Sequence, residues 1–228
     1  TQANQLVIDT MLQPYEGVVA AQSGHVNVHE AGAIEFSGHK VLAIPSARHD
    51  GKLAAADADA FVKAFYADPN HEHMVFPGMV YISHPTEYGT LYTAQELREL
   101  SAVCRRHHMS LYLDGARLVY GLAAYGTDVT LSLLDELCDV FYIGGTKAGA
   151  LNGEAIVFPR GAEPPHFLTR IKQHGALSAK GRLIGTQFAA LLENDLYFRI
   201  GRHAIDMARE IRKIFQDAGC RFYLDSPT

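Results

Sequence analysis

Two side chains in this sequence have the type and setting to do polar chemistry. Asp114 follows the apolar run 110–113 in Asp114-Gly115-Ala116-Arg117, and Lys147 ends Gly144-Gly145-Thr146-Lys147, just after the apolar run 140–143. A carboxylate placed directly after an apolar strand is partly desolvated and seeks a cationic partner. It equally suits a helix N-cap, where its oxygens accept N–H groups of the next turn. Glycines beside a lysine let the backbone approach a bound group closely, although an isolated lysine usually sits in a solvated loop. A third apolar run, 79–82, stops at Ser83 and His84. In parallel sheets ligands gather beyond the carboxyl ends of the strands, so residues that follow strands belong together. By that rule Asp114, Lys147, Ser83 and His84 share one edge. Arg117, three residues past Asp114, is either a planar fork for a carboxylate or one half of a helix-face ion pair.

The elements that must position these groups alternate along the chain. Strand-like runs fall at 17–21, 40–44, 79–82, 110–113, 140–143 and 154–158, with helical spacing at 6–12, 57–66 and 131–137 between them. Thr93 followed by Glu96 is a capping box opening a helix that carries Leu97, Leu100, Val103 and Cys104 on one face. Helices are expected at 167–172, 182–196 and 200–218, with Gly219 as the stop. This alternation predicts an α/β fold of three layers, a mostly parallel central sheet with helices on both faces. Residues 1–195 read as one domain. Residues 196–228 read as a linking helix followed, at 221–224, by the first strand of a truncated second domain.

Composition sets outer limits. The 228 residues include 25 acidic and 20 basic side chains, a formal charge of −5, with 48% hydrophobic and 20% charged residues. That is ordinary for a soluble globular chain and too apolar for whole-chain disorder. The acidic balance argues against nucleic acid as a partner, because phosphate contacts need a basic face. The sequence contains no apolar run long enough to cross a membrane and no signal-peptide pattern at its start, which predicts a cytoplasmic location. Cys104, Cys138 and Cys220 stand far apart, each in or beside an apolar run. They read as buried free thiols in a reducing compartment, not as metal ligands, and no metal is expected.

Taken together, Tyr112-Leu113-Asp114-Gly115-Ala116-Arg117-Leu118 and Gly144-Gly145-Thr146-Lys147 resemble the fold-type I pyridoxal-phosphate enzymes, in particular the threonine aldolase and β-eliminating lyase family. Thr1-Gln2-Ala3-Asn4, Gly24-His25 through Glu30-Ala31-Gly32, and Pro85-Thr86-Glu87 with Gly89-Thr90 are similar to further segments of that family, in its order. The resemblance implies the large domain of the aminotransferase fold, with the C-terminal small domain largely absent from this chain. It implies pyridoxal 5'-phosphate as cofactor, carried by Lys147 through its amine, with Asp114 paired to the pyridine nitrogen and His25 stacked on the ring. His25 could also act as a base near a substrate hydroxyl; His29 lies close by in sequence, and Glu30 reads as a structural partner. Thr1 would hold the phosphate at a helix N-terminus. Thr146 and Ser83 would add hydroxyls, and Arg117 would bind the carboxylate of a small amino-acid substrate. The implied reaction is aldol cleavage of a threonine-like β-hydroxy amino acid to glycine and an aldehyde, in a homodimer or homotetramer. β-Elimination, transamination and a non-catalytic fragment that keeps the fold are the alternatives.

Overall fold

The apolar runs become six strands, and the spaced apolar residues become helices. The computed structural model describes residues 1–45 and 50–228. In chain order it gives α1 (Gln2–Met11), β1 (Glu16–Ala21), α2 (His25–Val28), α3 (Ala33–Phe36), β2 (Val41–Ile44), α4 (Ala55–Ala67), β3 (Phe76–Ser83) and α5 (Ala94–Arg106). There follow β4 (Ser110–Asp114), α6 (Leu118–Ala123), α7 (Leu131–Leu137), β5 (Val140–Gly144), β6 (Glu154–Val157), α8 (Phe167–Gln173), α9 (Arg182–Leu192) and α10 (Leu196–Asp217). The strands form one sheet in the order β2-β1-β3-β4-β5-β6. The first five run parallel, and β6 closes the edge antiparallel to β5.

Side chains alternate across a strand, so each strand feeds two cores. Val19, Val80, Ile82, Leu111, Leu113, Phe141 and Ile143 pack on one side with residues of α4, α5 and α7, among them Val62, Leu97, Leu100 and Leu134. Val18, Ala20, Met79, Tyr81, Tyr112, Val140 and Tyr142 pack on the other with Val7, Ile8 and Ile34 of α1 and α3. The three layers expected from the sequence are therefore present. The capping box is formed in full: Thr93 Oγ1 accepts from Glu96 N, and the Glu96 carboxylate accepts from Thr93 N at 2.8 Å. No helix among the described residues is long and apolar enough to cross a membrane.

The segment 221–224, read from the sequence as the first strand of a second domain, is irregular in this structure. Two expectations need correction. The helix expected over 182–196 stops at Leu192, where Asn194 (φ 51°) and Asp195 (φ 57°) take left-handed conformations that these two residue types tolerate, and α10 starts directly afterwards. Cys104 and Cys138 are buried as expected, but Cys220 is exposed just past α10, where no layer covers it.

Candidate active site

The face of the sheet that meets α1 turns polar at the carboxyl ends of its central strands. Two-residue periodicity carries this face from Tyr81 to Ser83 on β3 and from Tyr112 to Asp114 on β4, and it also bears Tyr142 on β5. Parallel register sets Ser83 beside Asp114. Asp114 is buried, at 3% exposure. Its Oδ2 accepts from Tyr81 Oη at 2.5 Å and from Asn4 Nδ2 at 2.9 Å, and its Oδ1 accepts from Tyr142 Oη at 2.5 Å and from Ala116 N at 2.9 Å. All four donors are neutral, and among the described residues Asp114 has no ion pair. Asp114 takes one backbone N–H of the following turn, although Arg117 is the N-cap of α6, and its other partners are neutral donors where the sequence reading expected a cation.

Asn4 ties the cluster to α1. Its amide donates to Glu30 Oε1 at 2.8 Å as well as to Asp114, and its carbonyl oxygen accepts from Tyr112 Oη at 2.7 Å. His25, at the start of α2, closes on Glu30 Oε1 through Nδ1 at 2.6 Å. That hydrogen bond raises the His25 pKa above its ordinary value, against the effect of burial. For Glu30 burial pushes up, but its bonds to His25 and Asn4 prevail and hold the carboxyl below the usual range. Ligand atoms of His25, Glu30 and Asp114 lie within 4.8 Å of one another, the spacing of a cation site. The Asn4 amide already stands between the two carboxylates, where such an ion would sit.

Lys147 follows β5 in a short turn that ends at Gly149 (φ 99°), and its carbonyl oxygen accepts a hydrogen bond from Tyr120 Oη. It remains open to solvent, yet burial pulls its pKa down, with the Arg117 charge adding to that, while Asp114, Glu154 and Glu87 oppose it. Burial likewise pushes the carboxyls of Glu87 and Glu154 up. The tips of β4 and β5 are laced together at glycines. Gly144 N donates to Gly115 O at 3.0 Å. A Cβ at Gly115 would come within 1.9 Å of the Tyr142 carbonyl oxygen, and one at Gly144 within 2.4 Å of the Ala116 carbonyl oxygen.

Of the residues singled out from the sequence, Asp114, Lys147, His25 and Ser83 meet at this edge, and the Arg117 charge acts on Lys147. Thr1 is the N-cap of α1, with no side-chain hydrogen bond to the helix, and Thr146 is exposed beside Lys147. His84 turns to the opposite layer, fully buried, with Tyr92 beside it and its ring against Gly121. The sequence reading missed the partners of Asp114, namely Asn4, Tyr81 and Tyr142, together with Tyr112, Glu87 and Glu154. One signal was present, because a tyrosine stands two residues before each of Ser83, Asp114 and Gly144.

The pattern of the beta-eliminating lyase family matches residues 1–225. A low specificity L-threonine aldolase of Pseudomonas sp. (strain NCIMB 10558) is 32% identical over 219 residues, covering 95% of this chain and 62% of that protein. The solved structure of Leishmania major threonine aldolase superposes with a TM-score of 0.94 at 43% identity, over 100% of this chain and 65% of that one. The PLP-bound C-S lyase of Staphylococcus hominis shares the fold, with a TM-score of 0.67 at 13% identity over 94% of this chain and 53% of that one. The chain thus spans 62% of the length of the curated Pseudomonas relative that it matches.

Proposed function

Because the chain belongs to the beta-eliminating lyase family, we propose that it is the large-domain part of a pyridoxal-phosphate-dependent carbon–carbon lyase. The reaction is cleavage of a threonine-like β-hydroxy amino acid to glycine and an aldehyde. The observation that carries this reading is Asp114, a buried carboxylate given four neutral donors and no ion pair among the described residues. A protonated pyridine nitrogen is the kind of partner that such a carboxylate lacks, so the residues present fit the cofactor. The names of the Pseudomonas relative and the Leishmania structure favour aldol cleavage over β-elimination.

Bound at this edge, pyridoxal phosphate supplies an aromatic ring that accepts the electron pair released from the broken bond. The chain's own residues prepare that chemistry. Asp114 keeps a proton on the pyridine nitrogen, and its four hydrogen bonds hold its oxygens in place. Lys147 must be neutral to attach to an aldehyde, and its lowered pKa is in the required direction. His25, tethered by Glu30, offers an aromatic face. Thr1 and the free N–H groups of the first turn of α1 suit a phosphate, with the hydroxyls of Thr146 and Ser83 as further donors. Arg117 suits the substrate carboxylate. On this reading α10 leads from the domain of residues 1–195 into a small domain, and the working enzyme is a cytoplasmic homodimer or homotetramer. The buried free thiols support a reducing compartment.

The test is borohydride reduction after incubation with pyridoxal phosphate, followed by peptide mass spectrometry, with glycine and aldehyde release from L-threonine measured in parallel. The pyridoxyl group is expected on Lys147 and is lost in Lys147→Ala. A label on another lysine refutes the assignment of Lys147, and release of 2-oxobutanoate and ammonia in place of glycine refutes the reaction.

A further inference from the structure

Glu87 is placed with unusual care for a residue in a loop. It lies in the turn Thr86-Glu87-Tyr88-Gly89, closed by Gly89 N donating to Thr86 O at 2.9 Å with Gly89 at φ 76°. The turn is anchored from beneath by Thr86 Oγ1 against Thr90 Oγ1 at 2.6 Å and by Thr90 Oγ1 donating to Asp50 O at 2.6 Å. Glu87 therefore reaches back over the tip of β3, where its Oε1 accepts from Ser83 Oγ at 2.7 Å. The titratable groups that act on it or feel it come from every side of the site: Asp114 on β4, His25 on α2, Lys147 after β5, and Tyr92.

The hydrogens between Glu87 and Asp114 can be followed one by one. Ser83 Oγ gives its proton to Glu87, and Tyr81 Oη gives its proton to Asp114. The two hydroxyl oxygens lie 3.4 Å apart, so with both carboxylates charged that contact has no proton to share. A single proton on Glu87 repairs it. The carboxyl then donates to Ser83, Ser83 turns its proton to Tyr81, and Tyr81 continues to donate to Asp114. The result is an unbroken line of donors pointing at a buried negative charge, and aligned chains of this kind strengthen one another. Burial and the Asp114 charge hold the Tyr81 pKa well above that of an ordinary phenol, so Tyr81 keeps the proton that the line needs. His25 is a poorer acceptor, because Glu30 already occupies Nδ1 and favours the protonated ring.

We propose that Glu87, backed by Ser83 and Tyr81, is the group that receives the proton of the substrate β-hydroxyl. The assignment rests on the aldol reading above. As the Cα–Cβ bond breaks, the hydroxyl proton passes to the Glu87 carboxylate and the O–H electron pair becomes the second bond of the aldehyde carbonyl. The Cα–Cβ pair would be held by the cofactor ring and returned to Cα, which gains one proton from Lys147. That proton is the one Lys147 took from the substrate ammonium group when the two amines exchanged places, and Glu87 later returns its own proton to solvent. One proton leaves the substrate and one arrives.

Two measurements test the proposal separately. The first uses carbon-13 NMR of the glutamate carboxyls, without cofactor, in the unaltered protein and in Tyr81→Phe. Glu87 is expected to titrate above the ordinary 4.5 of a glutamate, and its midpoint should fall when Tyr81→Phe cuts the line to Asp114. A midpoint unmoved by Tyr81→Phe overturns the relay, whatever reaction the enzyme performs. The second uses Glu87→Gln in the loaded enzyme. Turnover of L-threonine should fall about 10²–10⁴-fold, the usual worth of a positioned acid–base group, with KM little changed and the limb of the pH profile due to Glu87 gone. Unchanged turnover overturns the acceptor role, as does a loss matched by equal weakening of glycine binding, since glycine has no β-hydroxyl. If the unaltered enzyme releases 2-oxobutanoate and no glycine, the aldol reading itself falls.

Discussion

Replacing Asp114 by asparagine keeps the shape of the side chain and removes one acceptor oxygen from a buried site that serves four donors. Whichever way the new amide turns, its NH2 faces one tyrosine hydroxyl and one N–H: Tyr142 and Ala116 in one orientation, Tyr81 and Asn4 in the other. The tyrosine can rotate and accept from the amide, but its proton then needs a new partner and the N–H is orphaned. An unpaired buried donor costs about 1–3 kcal/mol, and the two surviving bonds drop from the roughly 1.5–3 kcal/mol of a charged acceptor toward 0.5–1.5. Relief from burying a charge offsets part of this, leaving a net loss of about 2 kcal/mol or more. For a protein of this length 1 kcal/mol moves Tm by about 2–4 °C, so thermal unfolding without cofactor should show a drop of at least ~4 °C. The same reasoning couples two sites. Tyr142→Phe removes a charge-assisted bond in the unaltered protein but only a compromised hydroxyl in Asp114→Asn, so it should cost at least ~1 kcal/mol less in the second background. A Tm drop below ~2 °C, or equal costs of Tyr142→Phe in both backgrounds, would refute the account of Asp114 as a saturated acceptor.

Two further expectations concern protonation. His84 is fully buried and neither ring nitrogen has a hydrogen-bond partner among the described residues, so burial lowers its pKa from 6.5 to about 4. The unfolded chain therefore binds the extra proton first as pH falls. The stability due to neutral His84 is present above pH 6.5 and is lost on the way down to about pH 4, a change of about 3 kcal/mol. Urea unfolding at a series of pH values should show that slope, and His84→Leu should flatten it; an identical slope in both proteins would contradict the assignment. Arg117 lowers the Lys147 pKa by its charge, so Arg117→Gln should raise it. The pH at which pyridoxal phosphate attaches half-maximally, followed by absorbance, should then move in the alkaline direction, and a move the other way would count against the reading.

Much of the scaffold was legible in the sequence because strand and helix periods are local properties. The runs ending at Ser83, Asp114 and Gly144 are strands, and the Thr93–Glu96 box closes as its spacing requires. Asp114 and Lys147 stood out because each follows an apolar run. The network around Asp114 was not legible, because it is built from separations of 110 residues to Asn4, 33 to Tyr81 and 28 to Tyr142. Within their own runs those tyrosines look like ordinary strand formers. Only the pairing register reveals that Tyr81, Tyr112 and Tyr142 share one face with the acid.

The glycines at the tips of β4 and β5 have a consequence for anyone reshaping this pocket. Gly115 and Gly144 act as a rivet, for the first methyl group added at either would drive a wedge between two peptide planes. The acid and the amine ride on opposite halves of that joint, so even an alanine there spoils their alignment before it touches any ligand. Libraries that reshape this edge should therefore leave the rivet untouched and vary the side chains around it.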